Sequence, residues 1–193
     1  MATVSSMDEE LGRLGRDHIT RFLERMGERP ELRSGNLLEI GPQDKLGARH
    51  FFKGCRIDTF DIVDTYKPTI VGDITTTNVS IRDDTYDCVV CMDVLEHCLE
   101  PFAAVREIRR ILKHDGYLLV SAPLNFRIHG PIPDCWRFTE HGFRILLKDF
   151  EIVELDICET PGRDLFPIHY NVLARNDKTR TVAAGDLKFR FID

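Results

Sequence analysis

Apolar residues recur along this chain in two rhythms. From Ser6 a helical period runs through Leu11, Leu14, Ile19, Phe22, Leu23 and Met26, with Ser6 and Glu9 spaced as a capping box and Gly27 and Pro30 as stop signals. This predicts an amphipathic helix that covers the core or a pocket. Short apolar runs bounded by turn residues follow: NLLEIGP, RIDTFDIVD, PTIVGDI and YDCVVCMD, the last apolar enough to be buried on both faces. Pro101 then opens a second helix along Phe102, Val105, Ile108, Ile111 and Leu112, which Asp115-Gly116 is expected to stop. YLLVSAP reads as a fifth strand, Thr139 caps a helix through Phe143, Leu146, Leu147 and Phe150, and FEIVELDI and FPIHYNVLA are two final strands around a Pro161-Gly162 turn.

Strands alternating with helices predict an α/β fold: a Rossmann-like, doubly wound, mostly parallel seven-stranded sheet with an antiparallel last strand. The expected organisation is one domain over residues 35–175, a covering helix over 1–34 and a polar tail over 176–193. The length of 193 residues agrees with one domain.

Charge narrows the partners. Lys and Arg number 26 against 32 Asp and Glu, a net charge of −6, so a broad footprint for nucleic acid is not expected. The start of the chain lacks a signal-peptide pattern, and the longest apolar run is the five residues Cys88 to Met92, so a cytoplasmic protein with no membrane span is expected. In that compartment Cys55, Cys88, Cys91, Cys98, Cys135 and Cys158 read as reduced thiols. A zinc reading of Cys88-Val-Val-Cys91 fails on geometry, because strand residues three apart face opposite ways.

Ligands of such sheets bind at the carboxyl ends of the strands. Here those ends are Glu39-Ile40-Gly41, Asp61, Asp73-Ile74 and Met92-Asp93. Four acidic ends in succession would repel a pyrophosphate and suit a ligand with hydroxyls, an amino group and a cation.

LLEIGP, the acid ending the second strand, VGD, and YDCVVCMDVLEHCLEP followed by EIRRILKHDGYLLVSAP resemble the ordered motifs of class I S-adenosylmethionine-dependent methyltransferases, over most of the chain from about Asn36 to Arg175. The resemblance implies S-adenosylmethionine as cofactor. It places Glu39 and Gly41 at the methionine part, Asp61 on the ribose hydroxyls, Asp73 and Ile74 at the adenine, and Met92 and Asp93 beside them. The residue-level alternative for each acid is a turn or helix cap. The glycine-rich turn is shortened to GPQDKLGARHFF, which leaves Gln43, Asp44 and Lys45 all near the cofactor's carboxylate. Short first-half crossovers with HGPIPDCWRFTEHGF are similar to a bacterial-type, type 11-like group with a WRFT signature, whose members are associated with sugars and other polar metabolites.

The acceptor side is the loop from Asn125 to Phe138. His129 is a candidate base there, and Asp134, Trp136 and Arg137 are candidate acceptor contacts; alternatively Trp136 and Phe138 plug the core and Arg137 pairs with an acid. His97 is a second candidate base. Asp93, Glu96 and His97 share one face if a helical turn begins at Asp93. That segment resembles the divalent-metal motif of small-RNA 2′-O-methyltransferases and some quinone-biosynthesis O-methyltransferases, with His129 as a further ligand, but it also occurs in metal-free relatives. His18, His50, His114, His141 and His169 have no partner pattern and read as structural. The expected function is methyl transfer, chiefly to an oxygen, on a small-molecule acceptor. The alternatives are a cofactor-binding regulatory subunit and a metal-dependent O-methyltransferase of RNA or a quinone precursor.

Overall fold

The computed structural model describes residues 3–42 and 47–187. Helix α1 (Ser6–Gly27) leads into β1 (Gly35–Ile40), β2 (Cys55–Asp61), β3 (Ile70–Val71) and β4 (Tyr86–Met92). Then come α2 (Pro101–Ile111), β5 (Leu112–Pro123), α3 (Glu140–Leu146), β6 (Glu151–Cys158) and β7 (His169–Arg175). The strands form one sheet in the order β3-β2-β1-β4-β5-β7-β6. β7 runs antiparallel to both neighbours, and the other pairs are parallel. The predicted sheet class therefore holds. Among the described residues, no helix separates β2 from β3, and the β1–β2 connection shows only a 3-10 turn at Ala48–His50, as the short crossovers implied.

Strand alternation divides the core into two layers. Leu37, Cys88, Val90, Leu119 and Leu173 face α1, where Phe22 and Met26 are buried. Leu38, Val89, Cys91, Leu118 and Val120 face α2 and α3, against Ile108, Ile111 and Phe143. Each fully buried side chain of this size stabilises the fold by about 1.5–3 kcal/mol. Cys88 and Cys91 lie in different layers, and burial pushes both thiols well above the ordinary range. No helix among the described residues is long and apolar enough to cross a membrane.

Several boundaries differ from expectation. The capping box is Ser5 with Asp8: Ser5 Oγ accepts from the Asp8 N–H at 3.1 Å, and the Asp8 carboxylate accepts from the Ser5 N–H at 3.0 Å. Arg127 also reaches that carboxylate, at 3.4 Å, which favours this register over Ser6 and Glu9. Helix α2 stops at Ile111, before Asp115-Gly116. The reason comes from beyond β7: buried Asn176 donates from Nδ2 to the carbonyls of Arg109, Leu112 and Lys113 at 3.0–3.1 Å. These bonds satisfy carbonyls at the helix end and release the chain directly into β5. The PTIVGDI run forms only a two-residue edge strand. The last connection spans 159–168, longer than a tight turn, with Thr160 and Arg163 bridged around Pro161-Gly162.

Candidate active site at the carboxyl ends of the strands

The sheet reverses its order between β1 and β4, so a crevice opens above their carboxyl ends. Gly41 follows β1 with φ +66°, a conformation costly for residues with a Cβ, and its N–H donates to the Phe60 carbonyl at 2.8 Å. A Cβ on Gly41 would stand 2.8 Å from Val94 Cγ2, so only glycine leaves the backbone open at this point. Glu39 is buried and accepts from the Ala48 N–H at 2.8 Å; burial raises its pKa and that N–H partly opposes the rise. Its carboxylate thereby anchors the start of the 3-10 turn at Ala48 to the end of β1. Gln43, Asp44 and Lys45 lie outside the described residues.

The next acids adopt the local bonds of turn residues. Asp61 Oδ1 accepts from the Val63 N–H at 3.1 Å, and Asp73 Oδ1 accepts from the Thr75 N–H and Oγ1 at 2.8 and 2.7 Å. Ile74 is buried in the α2-side core, and Met92 packs against the α1-side core.

The expected common face of Asp93, Glu96 and His97 does not form. Asp93 has φ +53° and lies before the single 3-10 turn Leu95–His97. Its Oδ1 accepts from Ser121 Oγ at 2.8 Å and lies 2.7 Å from His169 Nε2. His129 instead joins Glu96 and His97: one ligand-capable atom from each lies within 4.8 Å of the others.

This cluster exists because the 125–138 loop is fastened to the turn after β4. The Cys135 and Trp136 N–H groups both donate to the Glu96 carbonyl, at 2.7 and 3.2 Å. Trp136 Nε1 donates to the Cys98 carbonyl at 2.9 Å, and His97 Nδ1 lies 2.9 Å from the Pro133 carbonyl. With Nδ1–H directed at that acceptor, the neutral His97 ring carries its lone pair on Nε2. His129 is held differently: Asp134 Oδ2 accepts its backbone N–H at 2.9 Å, while its Nδ1 stands 3.2 Å from the same oxygen without hydrogen-bond alignment. Burial lowers the His129 pKa, the Asp134 charge opposing it, and the two imidazole centroids stand 4.9 Å apart.

Both Nε2 atoms lie 3.8 Å from Glu96 Oε1. Glu96 is fully buried, and neither of its side-chain oxygens has a hydrogen-bond partner among the described residues. Burial, with Asp93 nearby, pushes its pKa well above the usual carboxylate range.

The proposed acceptor contacts are partly engaged within the loop. Arg137 grips both oxygens of Asp134 and donates to the Arg127 and Trp136 carbonyls, which holds Asp134 far below its ordinary pKa. Arg137 thus has the acid partner of the structural alternative. Phe138 is buried as that alternative expects, but Trp136 is 39% exposed: its indole N–H is tied to Cys98 and its ring lies nearly parallel to Phe138 outside the core. Ser121 escaped the sequence reading and His169 reads there as structural, since a lone strand serine and a lone strand histidine carry no spacing signal.

A doubly wound sheet with one antiparallel strand, a glycine of positive φ after β1 and acids at the tips around its reversal point is the arrangement that the resemblance to class I S-adenosylmethionine-dependent methyltransferases implies. A family model described as a methyltransferase domain matches residues 7–151, and the chain belongs to that family. Ubiquinone biosynthesis O-methyltransferase of Haemophilus ducreyi is 32% identical over 56 residues, 29% of this chain and 24% of that protein. The chain thus matches about a quarter of the length of that curated relative. Two solved structures show the same fold. The [4+2]-cyclase SpnF has a TM-score of 0.63 at 16% identity, covering 81% of this chain and 80% of its own. A Burkholderia thailandensis 1,6-didemethyltoxoflavin-N1-methyltransferase, solved with 1,6-didemethyltoxoflavin and S-adenosylhomocysteine, has a TM-score of 0.57 at 15% identity, covering 92% and 93%. One of these neighbours is named for a cyclisation, so the fold leaves the reaction to the site.

Proposed function

We propose that this protein methylates an oxygen of a small polar acceptor, a sugar or similar metabolite, bound beside His97 and His129. The observation that carries this reading is the convergence of two imidazoles on one point: the Nε2 atoms of His97 and His129 each stand 3.8 Å from Glu96 Oε1, with ring centroids 4.9 Å apart, and His97 Nδ1 faces the Pro133 carbonyl. S-adenosylmethionine supplies a methyl group already activated by its sulfonium. The protein then has to align the acceptor and take one proton. His129, kept neutral by its lowered pKa, is the base, Asp134 is its positioning residue, and His97 lies alongside to receive or share the proton. Glu39 and Gly41 would hold the methionine portion, Asp61 the ribose hydroxyls, Asp73 with Ile74 the adenine, and Met92 with Asp93 the crest between them. Trp136 offers an exposed ring face to an acceptor. The loop's WRFT signature supports placement in the bacterial-type group, and the net charge of −6 favours a small acceptor over nucleic acid.

The test is incubation with methyl-labelled S-adenosylmethionine and matched hydroxyl and amine acceptors. Label on hydroxyls supports the reading and label confined to amines overturns it. Cofactor binding without transfer to any acceptor would favour a regulatory subunit.

The buried Glu96 carboxylate favours a second reading. Two imidazoles and the Glu96 carboxyl converge on one point, a set that suits a divalent transition metal once the carboxyl gives up its proton. Pro133 and Asp134 would then orient the two imidazole ligands from behind. Metal analysis of the purified protein decides it, because retention of metal by the wild type and its loss in Glu96→Gln are both required.

A further inference from the structure

The Asp93 side chain is built into the molecule from beneath. Its backbone N–H donates to Ser121 Oγ at 3.0 Å, and the same hydroxyl donates to Asp93 Oδ1 at 2.8 Å, closing a two-way contact between β5 and the residue after β4. From β7, His169 Nε2 approaches the same Oδ1 at 2.7 Å. A carboxylate can only accept, so the proton of this pair is on His169 Nε2. Ser121 is fully buried and His169 is 3% exposed, whereas the Asp93 side chain is 34% exposed. One oxygen is therefore fixed in the interior while the group itself opens on the crest.

Two further features make this a constructed site. Asp93 sits at φ +53°, a conformation that aspartate tolerates better than most residues and that turns the carboxylate away from the Glu96 cluster toward β5 and β7. Above His169, α1 passes at Gly15, where an added Cβ would stand in ordinary contact with the imidazole Cδ2 at 4.0 Å. On the other side, Val94 adjoins Gly41, which puts Asp93 next to the open backbone at the point where the sheet reverses. Charge-assisted bonds from two buried donors cost little in entropy and hold a carboxylate in one orientation.

We propose that His169 and Ser121 are positioning residues that aim Asp93 at the amino-acid end of the cofactor, its α-ammonium group. This rests on the reading of Asp93 as a cofactor-binding residue. It extends the cofactor site to β7, whose histidine is spent on orientation and not on proton transfer.

The test compares two ligands by calorimetry. S-adenosylhomocysteine carries the ammonium, and 5′-methylthioadenosine shares the nucleoside and thioether but lacks the amino-acid end. His169→Leu removes the donor and is expected to weaken S-adenosylhomocysteine about tenfold while leaving methylthioadenosine unchanged. His169→Gln, whose amide N–H can replace Nε2–H, is expected to restore most of the loss. In an Asp93→Asn background the effect of His169→Leu should vanish. Equal weakening of both ligands, or no weakening of either, overturns the proposal in favour of a packing role. If His169→Leu does not fold, Ser121→Ala must show the same split between ligands. Failure of the wild-type protein to bind both ligands would instead overturn the cofactor reading itself, and this one with it.

Discussion

Asp134 Oδ2 accepts the backbone N–H of His129 at 2.9 Å and stands 3.2 Å from Nδ1 of the same residue, so one carboxylate fixes the main chain and places its charge beside the ring. Arg137 holds that carboxylate from the other side. Asp134→Ala removes all three contacts and leaves the guanidinium without its partner. The expected result is a loss of about 2 kcal/mol in unfolding free energy by urea denaturation. Activity should fall at least tenfold with little change in cofactor affinity, because the loss falls on a base and not on a binding contact.

Glu96→Gln separates the two readings of the imidazole cluster through pH. The folded-state pKa of Glu96 is raised, so the wild-type group favours folding below its unfolded value and loses that contribution as pH rises through the folded value. Without a cation, the neutral amide should therefore stabilise the protein at pH 7–8, with an advantage that shrinks toward pH 5. With a metal bound, the same substitution should destabilise at neutral pH. Chemical denaturation at several pH values distinguishes these outcomes.

His129 carries the opposite sign. Its folded pKa lies below that of the unfolded chain, so the unfolded state takes up a proton first and His129 contributes stability that declines as pH falls below about 6.5. As a base it should stay neutral below the ordinary histidine range. The acid limb of kcat against pH is accordingly expected below pH 6.5 and should vanish in His129→Gln, measured on the residual rate.

Asn176→Ala should act on stability alone. Removing the buried amide whose two N–H groups serve three carbonyls at the end of α2 is expected to cost about 2–3 kcal/mol, read from the urea midpoint. Cofactor affinity should not change, since the residue lies at the end of the sheet away from the crevice.

Gly41→Ala tests the crest. Its φ of +66° and the 2.8 Å approach to Val94 require the backbone to shift. A strain cost of about 1–2 kcal/mol and a loss of S-adenosylhomocysteine affinity of tenfold or more are expected by calorimetry.

Local pattern was enough to read β4, because its unbroken apolar run needs two covered faces, and the two cores supply them. It was also enough for the Thr139 cap, which rests on a bond three residues long. Where a boundary depends on a distant partner, the pattern misled. Asp115-Gly116 looked like the end of α2, but Asn176, more than sixty residues later, ends it earlier. The site divides in the same way. The acidic strand ends were legible, whereas helical spacing could not register the left-handed backbone at Asp93 that keeps it off a common helical face with Glu96 and His97. Nor could spacing show that the loop bearing His129 is clipped to the Glu96 carbonyl.

That clip brings an optical handle to the site. Cys135 is the exposed cysteine among six free ones, while burial raises the pKa of Cys88, Cys91 and Cys98 and makes them poor nucleophiles. It adjoins the chain's single tryptophan, whose indole is tethered to Cys98. A thiol-selective quencher placed on Cys135 and the emission of Trp136 thus form a built-in gauge of whether the acceptor loop is seated, without adding any residue to the protein.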